Sequence, residues 1–229
     1  MVCSCCECDS AVDRQFTATK AAKELQSYRN RRLEPTARLL RDSVVETGLN
    51  HGSLLDIGGG IGALTFELLE RGMSEAVIAD AAAAYVTAAT DEANRRGSRV
   101  HVVRGDFLQV SGTLPSANLV TLDRVVCCYQ AYQPLLVEAL KHAVLGCALS
   151  YPRDRWYVRA GIWLDNARRA RRSGFRAFVH PPRRIQDIIQ QAGFVLARRR
   201  FTFVWTVDVY VRNSMESRGG PATVVGGPP

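Results

Sequence analysis

The stretch Leu54-Leu55-Asp56-Ile57-Gly58-Gly59-Gly60-Ile61-Gly62-Ala63-Leu64 constrains the fold of this chain more than any other. A short apolar run leads into four glycines, and a helical apolar face (Ile61, Leu64, Leu68, Leu69) follows and is closed by Gly72. Strand, tight turn and helix in that order form the opening unit of a parallel α/β sheet. The glycines permit the turn and let a ligand come close to the backbone. The helix start beyond adds unpaired N–H groups.

The same alternation runs on. Strands are predicted at 76–79, 100–103, 118–122 and 148–151, with helices at 81–96, stopped by Gly97, and around Leu135, Leu136, Ala139, Leu140 and Ala143. Strands alternating with helices imply a doubly wound, Rossmann-like parallel sheet with helices on both faces. Two helices precede it. Ala18, Ala21, Ala22, Leu25 and Tyr28 mark the first, and Pro35 opens the second, which Gly48 ends. After it come a stripe of Trp156, Ala160, Trp163, Ala167 and Ala170 on a long helix, then a shorter helix with Ile185, Ile188 and Ile189. Residues 195–212 read as two strands close in sequence, an antiparallel hairpin at one sheet edge. The expected organisation is a flexible cysteine-rich arm at 1–15, lid helices at 16–48, the ligand-binding α/β domain at 49–212 and a Gly/Pro-rich disordered tail at 213–229.

Composition narrows the class. No run of 18 apolar residues is present, so no membrane span is expected, and the N-terminus lacks the basic start and apolar stretch of a secretory signal. Cysteines stand at 3, 5, 6, 8, 127, 128 and 147, an odd number with six in two tight groups, unlike a secreted disulfide framework. These features place the protein in the cytoplasm. Cys3, Cys5, Cys6 and Cys8 are open to three readings: a soft-metal site, redox-sensitive thiols, or an inert arm. Four thiols within six residues can hardly wrap one tetrahedral ion, so no metal is assigned. The net charge is +8, and late arginines carry most of the excess. Such a face attracts an anionic small molecule or nucleic acid, or is simply solvated.

The spacing Gly58-x-Gly60-x-x-Ala63 also fits the dinucleotide fingerprint. Three features favour S-adenosylmethionine (SAM) over a dinucleotide. Asp56 ends the first strand, where a carboxylate suits a cationic amine better than a pyrophosphate. Gly105-Asp106-Phe107 follows the third strand, offering a carboxylate to an adenine amino group and a ring to the purine. The terminal hairpin is foreign to the simple dinucleotide fold. Asp80 ends the second strand, where a ribose-binding carboxylate belongs in either reading.

With these residues the chain resembles the class I SAM-dependent methyltransferases over roughly 35–212. The resemblance rests on Asp56 to Gly62, Asp80, Gly105-Asp106-Phe107 and Leu122-Asp123-Arg124. It implies seven strands in the order 3-2-1-4-5-7-6 with strand 7 antiparallel, and SAM at the carboxyl ends of strands 1 to 4. By the same resemblance Gly58, Gly59, Gly60 and Gly62 line the methionine side, Asp80 and Ala81 the ribose, and Asp106 and Phe107 the adenine, with Asp123 and Arg124 at the cofactor edge. Within the family, residues 122–130 and 175–212 resemble the magnesium-protoporphyrin O-methyltransferases. Here, however, Cys127 and Cys128 stand where those enzymes carry a histidine, and Gln130 replaces a proline.

Tyr129 and Tyr28, the latter on the lid, are the candidate catalytic residues. The expected acceptor is a small anionic molecule held between strands 4 and 5 and the helix bearing Trp156 and Trp163, with Arg153 and Arg155 nearby. Two other readings remain: an RNA or protein methyltransferase using the arginine-rich face, and a non-catalytic SAM- or NAD-binding module. His180 is expected to serve as a turn or cap residue.

Overall fold

The computed structural model describes residues 11–30 and 33–213. Its strands are β1 (Gly52–Ile57), β2 (Met73–Asp80), β3 (Val100–Arg104), β4 (Ala117–Asp123), β5 (Ala143–Pro152), β6 (Phe194–Phe201) and β7 (Trp205–Arg212). Its helices are α1 (Ala18–Arg29), α2 (Pro35–Glu46), α3 (Ala63–Leu69), α4 (Ala83–Arg96), α5 (Phe107–Val110), α6 (Tyr132–His142), α7 (Trp156–Ala170) and α8 (Pro182–Gln191). The strands form one sheet, β3-β2-β1-β4-β5-β7-β6, in which β7 alone runs antiparallel to its neighbours β5 and β6. This is the order expected.

Successive strand residues point to opposite faces of a sheet, and here both faces are covered. Leu55, Ile57, Val120 and Leu122 pack with Leu135, Leu136 and Leu140 of α6 and Ile185 and Ile189 of α8. Their neighbours Leu54 and Leu119 face the other way, onto Leu40 and Val44 of α2 and Leu64 and Leu68 of α3. Burial on both faces explains why these strands read as unbroken apolar runs. Helix boundaries follow local chemistry. Pro35 and Pro182 open α2 and α8, Asp106 caps α5 by accepting from Leu108 N at 2.9 Å, and Gly97 ends α4 with φ +60°.

The edge hairpin is anchored from within. Asp208, fully buried in β7, accepts two bonds from Arg199 on β6 (2.6 and 2.7 Å) and the hydroxyls of Tyr151 (2.7 Å) and Tyr210 (3.1 Å). A buried charge survives only when paired and hydrogen-bonded in this way.

Three expectations are corrected. β5 begins at Ala143, five residues before the strand predicted at 148–151. Gly146 is required within the strand because a Cβ there would lie 2.6 Å from both Leu49 Cδ1 and the Tyr210 carbonyl oxygen. The second correction concerns the arm. Residues 11–15 are helical and docked. Asp13 accepts from Ala83 N at 3.0 Å, Gln15 accepts from Ser173 Oγ at 2.9 Å, and Phe16 packs edge-on against both Tyr85 and Phe175 at 5.4 Å. These partners lie far away in sequence, so no local periodicity announces the docking. The third is the tryptophan stripe of α7, which faces solvent: Trp156 is 80% and Trp163 73% exposed. The inward face of that helix carries Val158 and Ile162. Cys3, Cys5, Cys6 and Cys8 lie outside the described residues, as does the expected tail from 214 onward. No helix among the described residues is long and apolar enough to cross a membrane.

Candidate active site

A cavity of about 1780 Å³ lies beyond the carboxyl ends of the parallel strands, where open α/β sheets bind ligands. Pockets for a single drug-sized ligand span roughly 300–1,000 Å³, so this space exceeds what one such molecule needs. The strand tips of β1 to β4 form its floor. α1, the inner face of α7, residues 174–178 and the β6–β7 tip form its walls.

The floor is built around the glycine turn. Gly58 has φ +64°, and a Cβ there would lie 2.4 Å from Val125 Cγ2, so both backbone conformation and packing exclude a side chain. Gly60 has φ +59° and donates its N–H to Asp80 Oδ2 at 2.9 Å, while Ala82 N donates to Asp80 Oδ1 at 2.8 Å. A carboxylate at the tip of β2 thus pins the turn at the tip of β1. Burial holds the Asp80 carboxyl above its ordinary pKa, opposed by these two N–H bonds. Asp106, capping α5, also accepts from the Tyr129 hydroxyl at 3.2 Å. At the tip of β4, Asp123 accepts from Ser150 Oγ, and Arg124 stands at φ +60°, the one described non-glycine residue with positive φ. Its N–H donates to Ser150 Oγ (2.8 Å) and its carbonyl accepts from the Cys127 and Cys128 thiols (3.3 and 3.4 Å), which hold the strained backbone.

The cavity brings together Asp56, Gly58, Gly59, Gly60, Asp80, Ala81, Asp106, Asp123 and Arg124. Several side chains have other duties than expected. Gly62 supports the turn from behind: its Cβ would lie 2.8 Å from Phe66. Asp56 is 1% exposed, and its two oxygens take the hydroxyls of Thr65 (2.6 Å) and Thr121 (2.7 Å), so it braces β1, β4 and α3 instead of reaching a ligand. Burial pushes its pKa up to about 6 against those two hydrogen bonds. Phe107 is also at the cavity, but it is 2% exposed with its ring committed to the core, edge-on to His142 at 5.9 Å.

Tyr28 and Tyr129 are poor candidates for proton transfer at neutral pH. Tyr28 is buried, stacks on Phe66 at 6.5 Å and has its pKa pushed up to about 12 by burial. Tyr129 donates its hydroxyl hydrogen bond to Asp106, and burial followed by that carboxylate raises its pKa. His180 bonds the Tyr129 carbonyl (2.9 Å) and stacks on Tyr132 (4.1 Å), a structural duty, but a tie to a distant segment and not the turn or cap expected of it. Arg153 bonds the Thr202 carbonyl and lies over Phe201, away from the acceptor position expected of it.

Sequence reasoning missed two groups. Tyr85 on α4 is 4% exposed, yet its hydroxyl makes no hydrogen bond of normal geometry among the described residues, although Glu24 is nearby. It stands beside the turn, its ring 3.3 Å from a Cβ placed on Gly60. A buried phenol left unsatisfied asks for a partner. The second group is cationic. Lys20 of α1, Arg124 and Arg169 of α7 all line the cavity, and Lys20 is held below its ordinary pKa by burial first and by the fields of Arg169 and Arg124, against the opposing field of Glu24. Periodicity on α1 and α7 drew the eye to the apolar residues and passed over Lys20 and Arg169, whereas Arg124 was expected at the cofactor edge.

The floor fits SAM. Asp80, Asp106 and Asp123 give a carboxylate-rich half suited to a cationic ligand with ribose and adenine donors, the glycine turn leaves its backbone bare, and the Tyr85 hydroxyl awaits a partner. When bound, that cofactor supplies an activated methyl group, and the task left to the protein is to hold and align the acceptor.

Comparison with known proteins agrees. Residues 54–145, from β1 into β5, match a methyltransferase-domain family. No curated protein matches the chain in sequence. Among solved structures, the magnesium protoporphyrin IX methyltransferase of Synechocystis PCC 6803, determined with S-adenosylhomocysteine, is 20% identical with a TM-score of 0.65, over 78% of this chain and 82% of that one. An O-methyltransferase family protein from Burkholderia thailandensis is 17% identical with a TM-score of 0.66, over 90% and 64%. A putative RNA methyltransferase from Pyrococcus horikoshii is 16% identical with a TM-score of 0.58, over 78% and 82%. At such identities these likenesses speak for the fold alone. With the family match laid over the glycine turn and the acidic strand tips, residues 54–145 form the methyltransferase domain of a SAM-dependent enzyme.

Proposed function

We propose that the enzyme methylates a bulky, largely apolar small molecule carrying a carboxylate, and that the carboxylate oxygen is the acceptor. The observation that carries this reading is the polarity of the cavity. Its cofactor half is acidic, whereas its far half sets Lys20 and Arg169 among the aromatic and aliphatic side chains of Phe16, Tyr157, Ile162 and Phe175, with Arg124, paired with Asp123 at 3.3 Å, at the boundary. Glu24 and Asp165 also face this half. Asp165 is paired with Arg169, whose guanidinium lies 5.7 Å from the Phe175 ring centre. A guanidinium can grip a carboxylate by two parallel bonds, and an ammonium adds a point charge. The size of the cavity supports an acceptor of substantial volume beside the cofactor.

The protein groups have simple parts in this reading. Asp80 and Asp106 hold the cofactor's ribose and adenine, with Ala81 beside them. Lys20, Arg124 and Arg169 orient the acceptor anion, and the apolar walls exclude water. A carboxylate nucleophile needs no general base, whereas a hydroxyl or amine does. His180 and Tyr129 are already engaged with neighbours, which suits an acceptor that arrives ionised. The exposed arginines of α7 favour a second reading, methylation of RNA.

A methyl-transfer screen against hydrophobic carboxylic acids, matched phenols and RNA separates these. Turnover on the acids, with a raised KM in Lys20→Ala and Arg169→Ala, is the expected result. Turnover on RNA alone, falling steeply with salt, would overturn it.

A further inference from the structure

Among the described residues the outer face of α7 is unpartnered, and its composition is unusual for a solvated helix. Trp156 (80% exposed), Trp163 (73%) and Leu164 (45%) lie on it. With 100° per residue, Trp156, Ala160, Trp163, Ala167 and Ala170 fall within about 40° of one direction, flanked by Arg159 on one side and Arg168 and Arg171 on the other. The patch continues onto the β6–β7 tip. Trp156 packs edge-on to Tyr157 at 5.9 Å, Tyr157 stacks on Phe203 at 4.8 Å, and the Tyr157 hydroxyl bonds the Phe203 carbonyl at 3.2 Å. Phe203 is 74% and Phe201 55% exposed, and the Arg153 guanidinium covers the Phe201 ring at 5.0 Å. Between 153 and 176 the sequence holds eight arginines and two aspartates, with no lysine or glutamate.

A contiguous exposed aromatic patch signals an interaction site. Two tryptophans on one helix face, with exposed phenylalanines on the adjoining strand tip and arginine at the margins, is the pattern of a surface lying in the plane of a lipid interface: the rings enter the headgroup region, and arginine stems reach along the apolar surface to leave their charge in water. The charge selects the partner, because anionic headgroups complement a rim in which arginines outnumber carboxylates, Arg159 being paired with Asp154 at 2.6 Å. A second copy of this chain would bring the same arginines together.

We infer that α7 and the β6–β7 tip dock this enzyme on an anionic lipid bilayer surface without crossing it. Tyr157, Gly161, Ile162 and Phe203 belong both to this region and to the cavity lining, so the docked face adjoins the active site.

The test is co-sedimentation of the full chain with vesicles of phosphatidylcholine alone and of phosphatidylcholine and phosphatidylglycerol in equal parts, with tryptophan emission and light scattering recorded. Neither cofactor nor acceptor is present, so the outcome is independent of the proposed substrate. Binding to the anionic vesicles with a blue-shifted emission, reduced at least tenfold in Trp156→Ser/Trp163→Ser, supports the inference. Both residues are solvent-exposed, and circular dichroism matching the parent shows that the variant is folded. Equal binding to both vesicle types, undiminished binding by the variant, or no vesicle binding with self-association that the variant loses would each overturn it.

Discussion

Asp56→Asn is the sharpest probe of how the floor of the site is built. Asp56 is fully buried between Thr65 and Thr121, and burial raises its pKa from 3.8 to about 6. The sign follows directly. An acid whose folded pKa lies above its unfolded one is fully compatible with the fold below about pH 4. It becomes a burden as pH rises through about 6, because the unfolded chain then ionises it more easily. The two pKa values differ by the equivalent of about 3 kcal/mol in full, of which about 2 kcal/mol falls between about pH 4.5 and about pH 7.5. An asparagine of nearly the same shape keeps an acceptor for one threonine hydroxyl and does not ionise. Urea unfolding of both proteins across that pH range gives the difference in stability. It should shift in favour of the asparagine variant by about 2 kcal/mol on going from acid to neutral pH, whatever its offset. A difference independent of pH would mean that Asp56 ionises as an ordinary aspartate, and the account of it as a desolvated brace would fail.

Asp80→Ala removes the acceptor for Gly60 N and Ala82 N and the proposed ribose ligand, so SAM should bind about 2 kcal/mol more weakly by calorimetry with the fold retained. Unchanged affinity would place the cofactor elsewhere. Asp208→Ala leaves Arg199 and the hydroxyls of Tyr151 and Tyr210 facing an empty site, and chemical denaturation should show a loss of about 3–5 kcal/mol. A loss below about 1 kcal/mol would show that the hairpin is held by its apolar contacts alone.

Much of the fold is legible in the chain because it rests on local rules. The two-residue period of the strands, the proline and glycine punctuation of α2, α4 and α8, and the glycine turn after β1 are set by backbone sterics that act within a few residues. The sheet order then follows from the resemblance those motifs carry. The acidic strand ends were legible for the same reason: Asp80, Asp106 and Asp123 each end or follow an apolar run. What those side chains do was not legible. Whether a carboxylate at a strand tip faces a ligand or a pair of threonines depends on Thr65 and Thr121, the latter 65 residues away. Likewise an apolar stripe on a helix has no inside or outside until packing chooses one. α7 buries Val158 and leaves Trp156 and Trp163 in solvent, because the cavity wall is built from its other face. The docking of residues 11–16 and the convergence of Lys20, Arg124 and Arg169 join distant segments. Periodicity reports only near neighbours, so these features, which shape the far half of the cavity, were decided by the tertiary structure.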